Sequence, residues 1–187
     1  MADEKRIEQL KVRLSALLEK EALKRGRFVL SSGKESTYYL DGRIISLTPE
    51  GAYLIASIIL EMMREEMPDA FGGPTLGADP IVGAVCALSH IEKMPLKSFI
   101  VRKEAKGHGT QKQVEGPLPA KGATVVLTDD VATTGKALIE AKQALDRIGV
   151  VCREAIVLVD RLEGAAANCA QVGVKLRPIF TIKDFGL

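Results

Sequence analysis

The chain has 187 residues, 47% of them hydrophobic and 27% charged, with a formal net charge of +2 and a mean hydropathy of +0.10. That length and apolar content predict one soluble, globular domain. A nearly neutral charge argues against a general nucleic-acid binder, 4% aromatics without Trp argue against base stacking, and no run approaches the roughly 18 apolar residues of a membrane span.

The N-terminal stretch MADEKRIEQLKVRLSALLEKEALKRGR has no apolar segment ahead of a small-residue cleavage site, so no export signal is expected. Ile7, Leu10, Leu14, Leu17 and Leu18 share one helical face, predicting a helix over 3–25 that ends at Gly26. FVLSSGKESTYYLD (28–41) reads as two short strands around a Ser-Ser-Gly-Lys turn. Thr48 and Pro49 form an N-cap and first-turn pair for a helix to about Met67.

From there strands and helices alternate. AFGG (70–73) is a short strand, and Asp79-Pro80 opens an apolar helix through about His90. SFIV (98–101) and ATVVLT (123–128) are strands. Leu138, Ala141, Leu145 and Ile148 line one face of a helix over 136–148, which Gly149 stops. EAIVLV (154–159) and LRPIFTI (176–182) complete the set. Apolar β-branched strands alternating with helices predict an α/β fold whose mostly parallel sheet is covered on both faces. Cys86, Cys152 and Cys169 are odd in number and widely spaced, which predicts buried free thiols in a reducing cytoplasm.

The segment RKEAKGHGTQKQVEGPLPAKG (102–122) breaks the rhythm. A loop this long inside a compact domain points to a functional lid. Arg102, Lys103, Lys106 and His108 place cationic donors beside the hinge glycines Gly107 and Gly109. Such a loop could close over a pyrophosphate, stabilise it as a leaving group and exclude water.

VVLTDDVATTGKA (125–137) carries the most specific signal. Ligands of parallel sheets collect at the carboxyl ends of strands, where Asp129 and Asp130 stand. The following turn, Val131, Ala132, Thr133, Thr134 and Gly135, leads through Lys136 and Ala137 into a helix whose free N–H groups suit a phosphate. It is not a P-loop, because Asp130 and Ala137 stand where that motif needs Gly and Ser or Thr. Two carboxylates would repel a phosphate held against them, so they face something neutral or cationic. Ribose hydroxyls meet that requirement, and a nearby Mg²⁺ would offset the charge.

VVLTDDVATTG resembles the signature of type I phosphoribosyltransferases, in which the acids contact the ribose hydroxyls of 5-phosphoribosyl-1-pyrophosphate (PRPP) and the loop holds its 5′-phosphate. RKEAKGHG (102–109), with EGPL beyond it, is similar to the mobile catalytic loop of the orotate phosphoribosyltransferases, and FVLSSGKESTYYLDGR (28–43) is similar to their N-terminal hood. VLVDRLEG (157–164) resembles their strand-end Asp-Arg. The resemblance runs from about residue 10 to the C-terminus. It implies a single phosphoribosyltransferase domain over 1–187, with a hood from roughly 1–45 plus the C-terminal segment and a catalytic loop at roughly 102–122.

It also implies roles. PRPP would be bound by Arg102, Lys103, Lys106, His108, Asp129, Asp130 and residues 131–137. Thr133, Arg161, Tyr38 and Tyr39 would bind orotate, and Lys106, His108, Asp129 and Asp130 would carry the chemistry. Mg²⁺ would travel on PRPP, and the protein would be a homodimer whose loops complete each other's sites. The implied activity is orotidine 5′-monophosphate formation in pyrimidine synthesis, with no nucleic-acid or membrane partner and no fused decarboxylase domain. The alternatives are a type I enzyme for another base and a non-catalytic PRPP-sensing regulator. Ser31 and Leu76-Gly77 depart from the pattern of some members, which carry a lysine or Tyr-Lys there, so pyrophosphate contacts are expected to come more from backbone amides.

Overall fold

A computed structural model describes residues 4–29, 33, 35–103 and 113–187. The chain opens with α1 (Glu4–Leu17), and a π-turn over Leu18–Ala22 leads into β1 (Leu23–Val29). β1 pairs antiparallel with β2 (Glu35–Leu40) in a two-stranded sheet. α2 (Arg43–Ser46) and α3 (Pro49–Met63) lead to the main sheet.

That sheet contains β3 (Ala70–Pro74), β4 (Lys97–Val101), β5 (Val114–Glu115), β6 (Thr124–Ala132), β7 (Val151–Asp160) and β8 (Lys175–Thr181). α4 (Asp79–Ile91), α5 (Lys136–Arg147) and α6 (Ala165–Gln171) connect β3 to β4, β6 to β7 and β7 to β8. The strand order is β5-β4-β3-β6-β7-β8, parallel except for β5 against β4.

Burial follows the two faces. Val126, Ile156 and Leu158 pack with Phe71 and with apolar residues of α1, α3 and α4. Their neighbours Val125, Leu127, Ala155 and Val157 pack with Leu138, Ala141 and Leu145 of α5 and Cys169 of α6. This alternation is the pleat of a sheet covered on both sides. The first of these cores also takes in Leu23 and Leu40, so the small sheet shares it. The Glu61 carboxylate is buried in that layer, held by Arg64 at 2.7 and 2.8 Å and by Arg6 of α1 at 2.9 Å. Burying a carboxylate is tolerable only with such partners.

Several expectations need correction. The first helix does not reach Gly26. Backbone pairing of Leu23 with Leu40 and of Arg25 with Tyr38 draws this stretch into β1, and Gly26, with φ of 153°, sits at the register irregularity before Phe28. The helix after Thr48 is capped as expected, Thr48 Oγ1 accepting the Gly51 N–H at 3.1 Å, but it stops at Met63 rather than Met67, ahead of Pro68. β6 runs to Ala132 because β7 pairs with it that far, so the aspartates lie within the strand. Cys152 and Cys169 are buried free thiols, whereas Cys86 lies exposed on α4. α2, α6 and β5 went unforeseen, each too short to show a period.

Candidate active site

β3 leads through α4 to β4 on one side, while β6 leads to β7 and β8 on the other, so β3 and β6 flank the point where the winding reverses. Open parallel sheets form their ligand crevice outside the strand ends at such a point. Here β6 pairs with β3 only as far as Leu127 but with β7 as far as Ala132. Beyond Leu127 one edge of β6 is therefore free of β3, and Asp129 and Asp130 are presented there.

Glycines let the neighbouring backbone close in on this pair. A Cβ on Gly77 would collide with Asp130 Oδ1 and lie 2.6 Å from Asp129 Oδ1, and one on Gly42 would lie 2.9 Å from Asp130 Cβ. The Leu76-Gly77 stretch thus lies directly against the acids, with an exposed Leu76 side chain and a cis Thr75–Leu76 peptide. On the other side, Asp41 accepts two hydrogen bonds from the Arg43 guanidinium, both 2.9 Å, and holds it in the field of Asp130. In the sequence, Asp41-Gly42-Arg43 carries no signal beyond a glycine between two opposite charges.

Burial, and next the charge of Asp130, push the Asp129 carboxyl up to about 8; Asp79 at the start of α4 adds to this. The Asp79 carboxyl is itself raised by burial, and its Oδ1 has no hydrogen-bond partner among the described residues. No Lys or Arg among the described residues comes within ion-pair distance of Asp129 or Asp130. The crevice therefore holds negative charge that a cation would relieve.

Residues 131–137 curl into a concavity of about 180 Å³ bounded by Asp129 and Leu138. Gly135 precedes α5 with φ of 77°, and no side chain caps the helix, so its first-turn amides remain open to a ligand. Gly135 also fits because a Cβ there would stand 2.9 Å from Cys169 Sγ. Asn168 of α6 donates to the Thr134 carbonyl at 2.9 Å and ties the turn down.

Arg161 follows β7, and its N–H donates to the Ala132 carbonyl at 2.9 Å, so it sits beside Thr133. Its Nε–H donates to the Tyr38 hydroxyl at 3.0 Å, and its guanidinium lies 4.8 Å from the centre of the Tyr38 ring. Tyr39, the next residue along β2, points to the other face of the small sheet and packs on Phe28 with ring centres 5.8 Å apart. The structure thus brings Tyr38, Arg161 and the 131–137 turn together and leaves Tyr39 outside. Lys106, His108 and Ser31 lie outside the described residues. Arg102 and Lys103 are exposed at the end of β4, where Gln113 holds the loop stem. Gln113 Nε2 donates to the Arg102 and Lys103 carbonyls at 2.9 and 3.3 Å, and Arg102 N–H donates to the Gln113 carbonyl at 2.8 Å.

Comparison with known proteins agrees with this geometry. Residues 46–183 match the phosphoribosyl transferase domain family. Orotate phosphoribosyltransferase of Rhodopirellula baltica is 43% identical over 180 residues, covering 93% of both chains, and that of Nostoc sp. is 45% identical, covering 95% of this chain and 86% of its own. The crystal structure of the Mycobacterium tuberculosis H37Rv orotate phosphoribosyltransferase with PRPP superposes with a TM-score of 0.79 at 30% identity, over 95% of this chain and 99% of that one. A strand carrying paired acids near its end, an open helix start and a strand-end arginine meet at one switch point, in a chain this similar to those enzymes over nearly its whole length. The chain belongs to the phosphoribosyltransferase family, and within it to the orotate phosphoribosyltransferases.

Proposed function

We propose that the protein transfers the 5-phosphoribosyl group of PRPP to N1 of orotate, giving orotidine 5′-monophosphate and pyrophosphate in pyrimidine biosynthesis. The observation that carries this reading is that Asp129, beside Asp130, lines the concavity of the open 131–137 turn, while the Arg161 N–H is bonded to Ala132 of that same turn. The turn offers N–H donors at a helix start to the 5′-phosphate. Asp129 and Asp130 accept hydrogen bonds from the ribose hydroxyls and stabilise positive charge on the sugar as the C1–O bond breaks. Arg161 offers charge-assisted hydrogen bonds to the orotate carboxylate, with Tyr38 and Thr133 beside it. Orotate is already an anion, so the site has to position it more than deprotonate it.

A magnesium ion fits this donor set. The two aspartates are hard oxygen donors with no cation at ion-pair distance among the described residues. Mg²⁺ would arrive on PRPP, where it would neutralise the pyrophosphate as leaving group. Asp129 and Asp130 would face it through the ribose. Arg102, Lys103, Lys106 and His108 would complete the pyrophosphate site from a loop shared across a homodimer, with Lys106 and His108 assisting departure. We place the protein in the cytoplasm, where its three free thiols would stay reduced.

The test is spectroscopic. Purified protein with orotate, PRPP and Mg²⁺ should deplete orotate absorbance only when both PRPP and the metal are present. Turnover of uracil, hypoxanthine or adenine instead of orotate would refute the assignment of the base.

A further inference from the structure

Arg161 is held by contacts to its backbone, its Nε–H, one face of its guanidinium and Nη2. Its side chain is only 10% exposed; Tyr38 takes Nε–H and covers one face, and its own backbone is pinned to Ala132. The remaining partner is Glu163, whose Oε1 lies 2.9 Å from Arg161 Nη2. The turn that makes this possible is built for it. Asp160, 2% exposed, accepts the Leu162 N–H at 2.8 Å, and Leu162 adopts a left-handed φ of 60°, which folds Glu163 back toward Arg161.

We infer that Glu163 is a placeholder: its carboxylate holds the Arg161 guanidinium, the group that the carboxylate of the incoming base must take. This rests on the function proposed above. A guanidinium this buried is costly without a counter-charge, and Glu163 supplies one. A substrate carboxylate cannot settle beside Glu163 without like-charge repulsion, so one of the two acids has to leave. Glu163 is the one free to do so, its side chain 34% exposed on a turn between Leu162 and the φ 103° Gly164. The exchange trades one carboxylate for another, and an uncharged base has no group with which to displace Glu163. Glu163 thereby sets both the affinity for the anionic base and part of the selectivity against neutral ones.

Steady-state kinetics at saturating PRPP and Mg²⁺ test this with Glu163→Gln, which removes the charge at constant shape, and Glu163→Asp, which keeps it. Glu163→Gln should lower the KM for orotate about two- to fivefold, the range within which a partly exposed ion pair competes. The dissociation constant of PRPP should not move, and Glu163→Asp should stay nearer the wild type. An orotate KM that is unchanged or raised in Glu163→Gln, with PRPP affinity and Tm intact, would overturn the placeholder. Wild-type protein that turns over no orotate would instead refute the proposed function, and the placeholder with it.

Discussion

Asp129 carries a carboxyl whose ionisation costs the folded protein stability. Burial and the Asp130 charge raise its carboxyl from the ordinary 3.8 to about 8. A carboxyl with a higher pKa folded than unfolded binds its proton more tightly in the native state, so it withdraws stability as pH rises from the unfolded value to the folded one. Asp129→Asn cannot ionise and escapes this loss. Its Tm in the absence of ligand should therefore gain on the wild type as pH goes from about 4 to about 8, with each kcal/mol worth about 2–4 °C in a chain of this size. Thermal unfolding across that range checks the claim, and a Tm gap independent of pH would refute it. The same variant should lose most of its activity. The sequence had pointed to Asp129 and Asp130 through their position before a Thr-Thr-Gly turn. It could not reveal Asp79 as a third acid raising Asp129, because that proximity depends on how α4 starts against β6.

At the level of elements, the site is a matter of close approach between β6 and the loop after β3. Gly77 lies where a side chain would strike both aspartates, and those atoms are the movable ends of their side chains. Gly77→Ala should accordingly fold with a Tm within a few degrees of the wild type while displacing the acids, weakening PRPP binding and lowering kcat/KM at least about tenfold, the equivalent of 1.4 kcal/mol. A variant with normal PRPP affinity would show that the acids do not need this gap. The strongly periodic helices and apolar strands of the main sheet could be read from the sequence because their apolar residues recur with the right spacing. β1 could not be placed from Leu23, since residues 18–25 continue a helical pattern and only pairing with β2 turns Leu23, Lys24 and Arg25 into strand. Likewise Tyr38 and Tyr39 look equivalent in sequence, yet the pleat sends one to Arg161 and the other to Phe28.

At the level of the whole molecule, the small sheet and the main sheet meet where Tyr38 of β2 accepts the Arg161 Nε–H beyond the end of β7. Arg102 and Gln113 bring the two ends of the long loop together beside β4, so the segment between them begins and ends at one place. If that loop serves the neighbouring subunit, mixing Lys106→Ala with Asp129→Asn chains should restore part of the activity that each homodimer lacks. No recovery in verified heterodimers would argue against shared sites. The sequence pointed to this loop by its length and charge, whereas its stem bond through Gln113 is a tertiary contact that no local pattern announces.

The division of the crevice into a sugar-phosphate half and a base half is tested most directly by Arg161→Ala, assayed for both substrates. The KM for orotate should rise about 10- to 150-fold, the cost of one lost charge-assisted hydrogen-bonding partner of roughly 1.5–3 kcal/mol. The dissociation constant of PRPP should stay within about twofold of the wild type, well under 1 kcal/mol. Parallel loss of affinity for both substrates would contradict the division and mean that Arg161 holds the crevice together instead of reading the base.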